Sequence, residues 1–104
     1  MSDEILPASD PPCHRVEFHG RVQGVGFRLT ATQIARRFLV SGYVKNLAGG
    51  TVVMVVRADR QVLEKFLDEI DAAFPGYIES REIREATPNE CFDVETRGGF
   101  QIRY

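Results

Sequence analysis

The 104-residue chain has no long apolar run, no excess of basic charge and only two cysteines. Each shortage removes a class of function. Nothing approaches the ~20 consecutive apolar residues that a membrane-crossing helix requires. With 13 basic against 15 acidic side chains the formal net charge is −2. No overall basic field therefore draws the chain to nucleic acid or to an anionic membrane, and any recognition of an anion has to be local. Cys13 and Cys91 stand far apart without paired spacing, so reduced, inert thiols in a cytoplasmic protein are the expectation. Met1 to Pro12 has neither the cationic start nor the apolar stretch of a secretion signal. Its prolines, acids and small polar residues predict a flexible tail, 1–12, ahead of one domain over 13–104.

The chain as a whole, with 43% hydrophobic residues, is rich enough to build a modest core without staples. From Cys13 to Val22 the apolar Val16, Phe18 and Val22 alternate with Arg15, Glu17 and His19, predicting a half-buried strand. Phe27, Ala31, Ile34, Ala35 and Phe38 then recur at helical spacing as far as Leu39, and Gly42 is expected at the helix exit. Tyr43–Leu47 and Thr51–Arg57 flank Ala48-Gly49-Gly50, the pattern of a hairpin. Asp59 is placed as the N-cap of a second helix carrying Val62, Phe66, Ile70 and Ala73, stopped by Pro75-Gly76. Tyr77–Ala86 predicts a weaker strand, with a bulge if Ile78 and Ile83 are both buried, because they fall on opposite parities. A turn at Pro88-Asn89 and a last short strand at Phe100, Ile102 and Tyr104 complete the order β-α-β-β-α-β-β. That order predicts an α+β, ferredoxin-like sandwich: an antiparallel sheet with both helices on one face. Val53 and Val55 lie on the parity opposite to Val52, Met54 and Val56, so the outer face is partly apolar and calls for a cover, either the tail or a partner subunit.

The chemistry concentrates in Gly20-Arg-Val-Gln-Gly-Val-Gly-Phe-Arg28, between the first strand and the first helix. Glycines let the backbone take positive φ, and successive N–H groups at a helix start bind an anion, phosphate above all. Arg28 adds a planar fork suited to two phosphoryl oxygens. The segment lacks the Gly-Lys-Ser/Thr ending of a triphosphate loop and the spacing of a dinucleotide fingerprint. By itself it reads equally well as a glycine-rich connection with a solvated arginine. Asn46, near the end of the second strand in Gly42-Tyr-Val-Lys-Asn46, is disfavoured in a strand unless it has a task, or else initiates the following turn.

Taken together, Gly20–Arg28, Gly42–Asn46 and the following Gly50-Thr51-Val52 closely resemble the two signatures of the acylphosphatase family, over most of the chain from Val16 to Tyr104. The chain departs from that pattern at Ala58, where a glycine is usual, and at Val53, where an acid is common. The resemblance implies a metal-independent hydrolysis of acyl phosphates to carboxylate and inorganic phosphate, with no cofactor. It further implies that Arg28 and the backbone amides of Gln23, Gly24, Val25, Gly26, Phe27 and Arg28 hold the phosphoryl group, while Asn46 orients the attacking water. A carboxylate leaves readily, which accounts for motifs without histidine, carboxylate or cysteine. Phosphoryl transfer needs chiefly positioning and charge stabilisation. The expected partner is a small acyl phosphate, with no nucleic acid and no membrane, and the chain is expected to act as a monomer and a free-standing enzyme. RNA binding, which uses this fold elsewhere, needs stacking aromatics that Thr51–Arg57 lacks. A non-catalytic phosphate sensor is the other alternative. His19 lies near the loop and could assist; an exposed strand histidine is the plainer expectation.

Overall fold

Alternation is strongest at the start of the domain. In the computed structural model, which describes residues 11–92, 94 and 98–104, Cys13–Gly20 forms strand β1. His14, Val16 and Phe18 point inward, and Arg15, Glu17 and His19 line the opposite face. Helix α1 spans Phe27–Ala35 and buries Phe27, Ala31, Ile34 and Ala35, the predicted stripe. It stops before Leu39: the amides of Arg36, Arg37 and Phe38 tighten onto the carbonyls of Gln33, Ile34 and Ala35, closing the helix with i→i−3 bonds. Strands β2 (Ser41–Asn46) and β3 (Val52–Arg57) make the expected hairpin, and helix α2 covers Arg60–Ala73. Strand β4 is Ile78–Glu85, a short helix α3 is Pro88–Cys91, and β5 is Phe100–Arg103.

The sheet order is β4-β1-β3-β2-β5. The first four strands pair antiparallel, whereas β5 joins β2 in parallel, so the five-stranded sheet is mixed. The inward residues of β1 and β3 close with both helices into one core of Val16, Phe18, Met54, Leu63, Phe66 and Ile70 among others. Burying a side chain of this size contributes roughly 1.5–3 kcal/mol. The ferredoxin-like α+β sandwich expected from the element order is therefore the observed fold, with β5 added in parallel.

Several local expectations are corrected. Gly42 is not a helix exit. It sits inside β2 with φ +148°, and a Cβ there would lie 1.9 Å from the Val55 carbonyl oxygen, so close strand approach explains the glycine. Asp59 occupies the N-cap of α2, but its side chain accepts no capping bond. Pro88-Asn89 opens a helix rather than a simple turn: Thr87 and Glu90 form a reciprocal capping box around it. The irregularity at β4 falls as anticipated, since His19 pairs with Ser80 but Gly20 with Ile78, which leaves Glu79 unpaired and both isoleucines against the core.

The largest correction concerns the cysteines. Cys13 and Cys91 are joined in a disulfide, with Cα atoms 6.5 Å apart. Sequence spacing hid this because the fold brings α3 back across the outer face of the sheet. Arg15 reaches Glu90 at 3.0 Å, Arg57 donates to the Val94 carbonyl at 3.2 Å and to the Pro11 carbonyl at 3.0 Å, and Val94 is buried. Val53 and Val55 are 3% and 1% exposed, so the apolar outer face is buried within this chain. The tail expected over 1–12 lies, apart from Pro11 and Pro12, outside the described residues.

Candidate active site

Between β1 and α1 the backbone turns twice through the left-handed region, at Gly24 (φ +80°) and Gly26 (φ +79°). A Cβ at either position would meet nothing within 4 Å. Conformation, not crowding, demands glycine here, and the space beside both residues is open to an approaching ligand. Gly26 is also the N-cap of α1, and it brings no side chain to cap the helix. The first-turn N–H groups of a helix have no intrahelical acceptor, so a glycine cap leaves them pointing outward as donors. Among the described residues, no backbone carbonyl accepts from the amides of Gln23 to Phe27. These amides are the expected anion cradle, placed at the start of a nine-residue helix.

A cavity of about 310 Å³ opens on this loop. Its lining brings Arg28, on the first turn of α1, together with Asn46, at the end of β2. Gln23, Gly24, Gly26 and Phe27 line it too; Val25 does not, and packs against the core instead. Asn46 Oδ1 is shielded from solvent and has no hydrogen-bond partner among the described residues. Arg28 is the sole charged side chain among the lining residues, which include no carboxylate, imidazole or thiol side chain. A dianion therefore meets one guanidinium and a set of amide dipoles, with no opposing negative side chain.

Three contributions escaped the sequence reading. The carboxamide of Gln23 donates to the carbonyls of Leu47 (2.8 Å) and Thr51 (2.9 Å), so this residue anchors the loop as well as lending its amide. Leu29 and Ile102 add apolar lining to the cavity. Tyr104 arrives because β5 runs parallel to β2 with Val44 opposite Ile102 and Lys45 opposite Arg103, which sets the next residue beside Asn46. Its ring lies 4.9 Å from the Arg28 guanidinium carbon, a cation–π contact. The alternation of Phe100, Ile102 and Tyr104 signalled a strand, but not which edge it would join. His19 takes no place at this cavity; its imidazole turns to the outer face of the sheet, toward Glu17 and Glu82.

Comparison with known proteins agrees with this architecture. The acylphosphatase family model matches residues 14–102. The acylphosphatase of Picrophilus torridus is 35% identical over 88 residues, spanning 84% of this chain and 96% of the relative. That of Listeria welshimeri is 42% identical over 87 residues, spanning 82% and 88%. The crystal structure of acylphosphatase from Bacillus subtilis superposes with a TM-score of 0.73 at 27% identity, over 88% of this chain and 98% of that one. Sequence, fold and cavity converge, and the chain belongs to the acylphosphatase family, hydrolases acting on acyl phosphates.

Proposed function

We propose that the cavity between Gly24 and Asn46 hydrolyses the carboxyl–phosphate bond by positioning alone, without a metal ion. The phosphoryl group sits in the cradle of amides from Gln23 to Arg28, and the Arg28 fork takes two of its oxygens. Each charge-assisted hydrogen bond is worth roughly 1.5–3 kcal/mol, so a few converging donors hold a dianion and stabilise the charge that spreads over its oxygens during transfer. Asn46 accepts a hydrogen bond from one water through Oδ1 and aims its lone pair at phosphorus. Water oxygen bonds to phosphorus as the phosphorus–acyl oxygen bond breaks. The carboxylate departs with the bonding electrons, and the water proton passes to a phosphoryl oxygen. An amide side chain is no base at neutral pH, so Asn46 orients and does not deprotonate.

The observation that carries this reading is the unpartnered Asn46 Oδ1 in the same cavity as Arg28. Its test is hydrolysis of benzoyl phosphate by the wild type and by Asn46→Ala, each with and without a chelator. Chelator-insensitive turnover that falls in kcat, with KM nearly unchanged, is the expected result. Turnover abolished by chelation, or an unaltered kcat in Asn46→Ala, contradicts it.

The same reading takes the chain as a monomer acting on a small substrate. Its support is the covered outer face, where Val53 and Val55 are already buried without a partner, and where β1 and β3 offer Arg15, Glu17 and valines instead of the aromatic rings that stack bases. A dianionic phosphate does not cross a bilayer unaided, so the enzyme works where its substrate is made, for which we propose the cytoplasm. The Cys13–Cys91 bond is unusual for that compartment. Trapping free thiols at the moment of cell lysis reads its state there directly.

A further inference from the structure

On the outer face of the sheet, away from the phosphate cradle, three ligand-type side chains converge. Glu17 and His19 are two apart on β1 and therefore share a face, and Glu82 is the cross-strand partner of Glu17 on β4. One oxygen or nitrogen from each lies within 4.8 Å of the other two. His19 Nε2 is 3.6 Å from Glu17 Oε1 and 3.8 Å from Glu82 Oε2. These separations are too long for hydrogen bonds. The Nε2 atom is nonetheless shielded from solvent and has no hydrogen-bond partner among the described residues.

Neighbouring charges prepare the site rather than oppose it. Arg15 donates through Nε and NH2 to Glu17 Oε2, at 3.0 and 2.7 Å, which fixes that carboxylate and turns Oε1 toward His19. Arg84 is committed to Glu90, through bonds of 3.0 and 2.8 Å. Two carboxylates and an imidazole offer a divalent ion a mixed oxygen and nitrogen shell, and the Arg15 charge beside Glu17 is shared with Glu90 at 3.0 Å. Ligands about 2.0–2.2 Å from a tetrahedral ion lie roughly 3.3–3.6 Å apart, so small side-chain rotations close the set. Glu82 is exposed and leaves the ion a path from solvent.

We propose that Glu17, His19 and Glu82 bind a first-row divalent cation, zinc being the best match to one imidazole and two carboxylates, as a clamp between β1 and the edge strand β4. The imidazole disfavours magnesium and calcium, which prefer all-oxygen shells. Arg15 is a positioning residue behind Glu17. The ion lies outside the cavity of Arg28 and takes no part in hydrolysis, so the clamp stands or falls independently of the mechanism proposed above.

The test is zinc titration of the full, metal-stripped protein without reductant, so that Cys13 and Cys91 stay bonded and offer no thiolate. Calorimetry is expected to give one zinc per chain and a higher melting temperature on binding. His19→Ala and Glu82→Gln should each weaken binding about tenfold or more, and Arg15→Gln should weaken it by roughly 10–100-fold through loss of the oriented carboxylate. In the 15N spectrum, zinc should shift His19 Nε2 while leaving His14 unmoved. Melting of the metal-free variants confirms that they are folded. Absence of saturable binding overturns the proposal, as does binding that survives His19→Ala unchanged or that moves His14 instead.

Discussion

The Gln23 carboxamide donates to the Leu47 carbonyl at 2.8 Å, joining the glycine loop before α1 to the hairpin that carries Asn46. The second proton of the same amide group reaches the Thr51 carbonyl at 2.9 Å, and the Leu47 amide donates to that carbonyl across the hairpin mouth. One side chain thus ties the loop of Gly24 and Gly26 to the hairpin whose first strand ends at Asn46.

Gln23→Ala removes both bonds, each worth about 0.5–1.5 kcal/mol net, and frees the loop from the hairpin. The expected outcome is a fall in kcat of about tenfold, corresponding to about 1.4 kcal/mol, with a smaller change in the inhibition constant of inorganic phosphate. Steady-state kinetics decides the point; a wild-type kcat would show that the loop holds its position without Gln23.

Arg28→Lys replaces a planar fork by a point charge at the one cationic side chain of the cavity. The new side chain also loses the guanidinium face that now rests on Tyr104. A loss in kcat/KM of roughly 10²-fold or more is expected. If lysine sustains wild-type turnover, phosphate is held by the amides alone.

The Cys13–Cys91 bond closes a span of 78 residues. Loop-closure entropy for that span amounts to about 4.5 kcal/mol in the chain model, and removal of a native disulfide typically costs about 2–5 kcal/mol. A Cys13→Ser/Cys91→Ser double variant should lose stability in that range in urea unfolding. Benzoyl phosphate turnover should persist where the variant is folded, because the bond crosses the sheet face opposite the helices. A stability change below about 0.5 kcal/mol would mean that the contacts of α3 hold the strap unaided.

Glu90 reports on the same strap through pH. Hydrogen bonds from Arg84 first, then from the Thr87 amide and Arg15, bring its carboxyl down from 4.5 to about 2. A depressed carboxyl pKa favours the native state wherever the group is ionised in both states. The contribution is complete above pH 4.5 and disappears as pH falls toward 2. Denaturant unfolding between pH 2 and 7 should show this slope in the wild type and a flatter acid limb in Glu90→Gln; equal slopes in both would remove Glu90 from the acid response.

Much of this molecule was legible in local patterning. The stripe of Phe27, Ala31, Ile34 and Ala35 is buried as its spacing required, and Val52, Met54 and Val56 face the core. Gly24 and Gly26 announced positive φ, and the positions of Arg28 and Asn46 on their elements followed from the motifs. Missed features depend on contacts between residues distant in the chain. The role of Gln23 needs the hairpin mouth beside it, and Tyr104 reaches the cavity because β5 chose the β2 edge in parallel. Gly42 looked like a helix exit, since a glycine required by a neighbouring carbonyl looks the same in sequence as one required by φ.

The sequence by itself determined all the elements but the short helix α3, the inward faces, the glycine loop and family membership, because hydrophobic period and backbone freedom are properties of neighbouring residues. Tertiary structure alone decided that Cys13 meets Cys91, that Val53 and Val55 are buried on the outer face, and that His19 turns to Glu17 and Glu82 instead of the cavity of Arg28 and Asn46. Those outcomes depend on which strands pair and on which face a returning segment crosses. Only folding fixes them, through burial and pairing between parts of the chain that local patterning cannot relate.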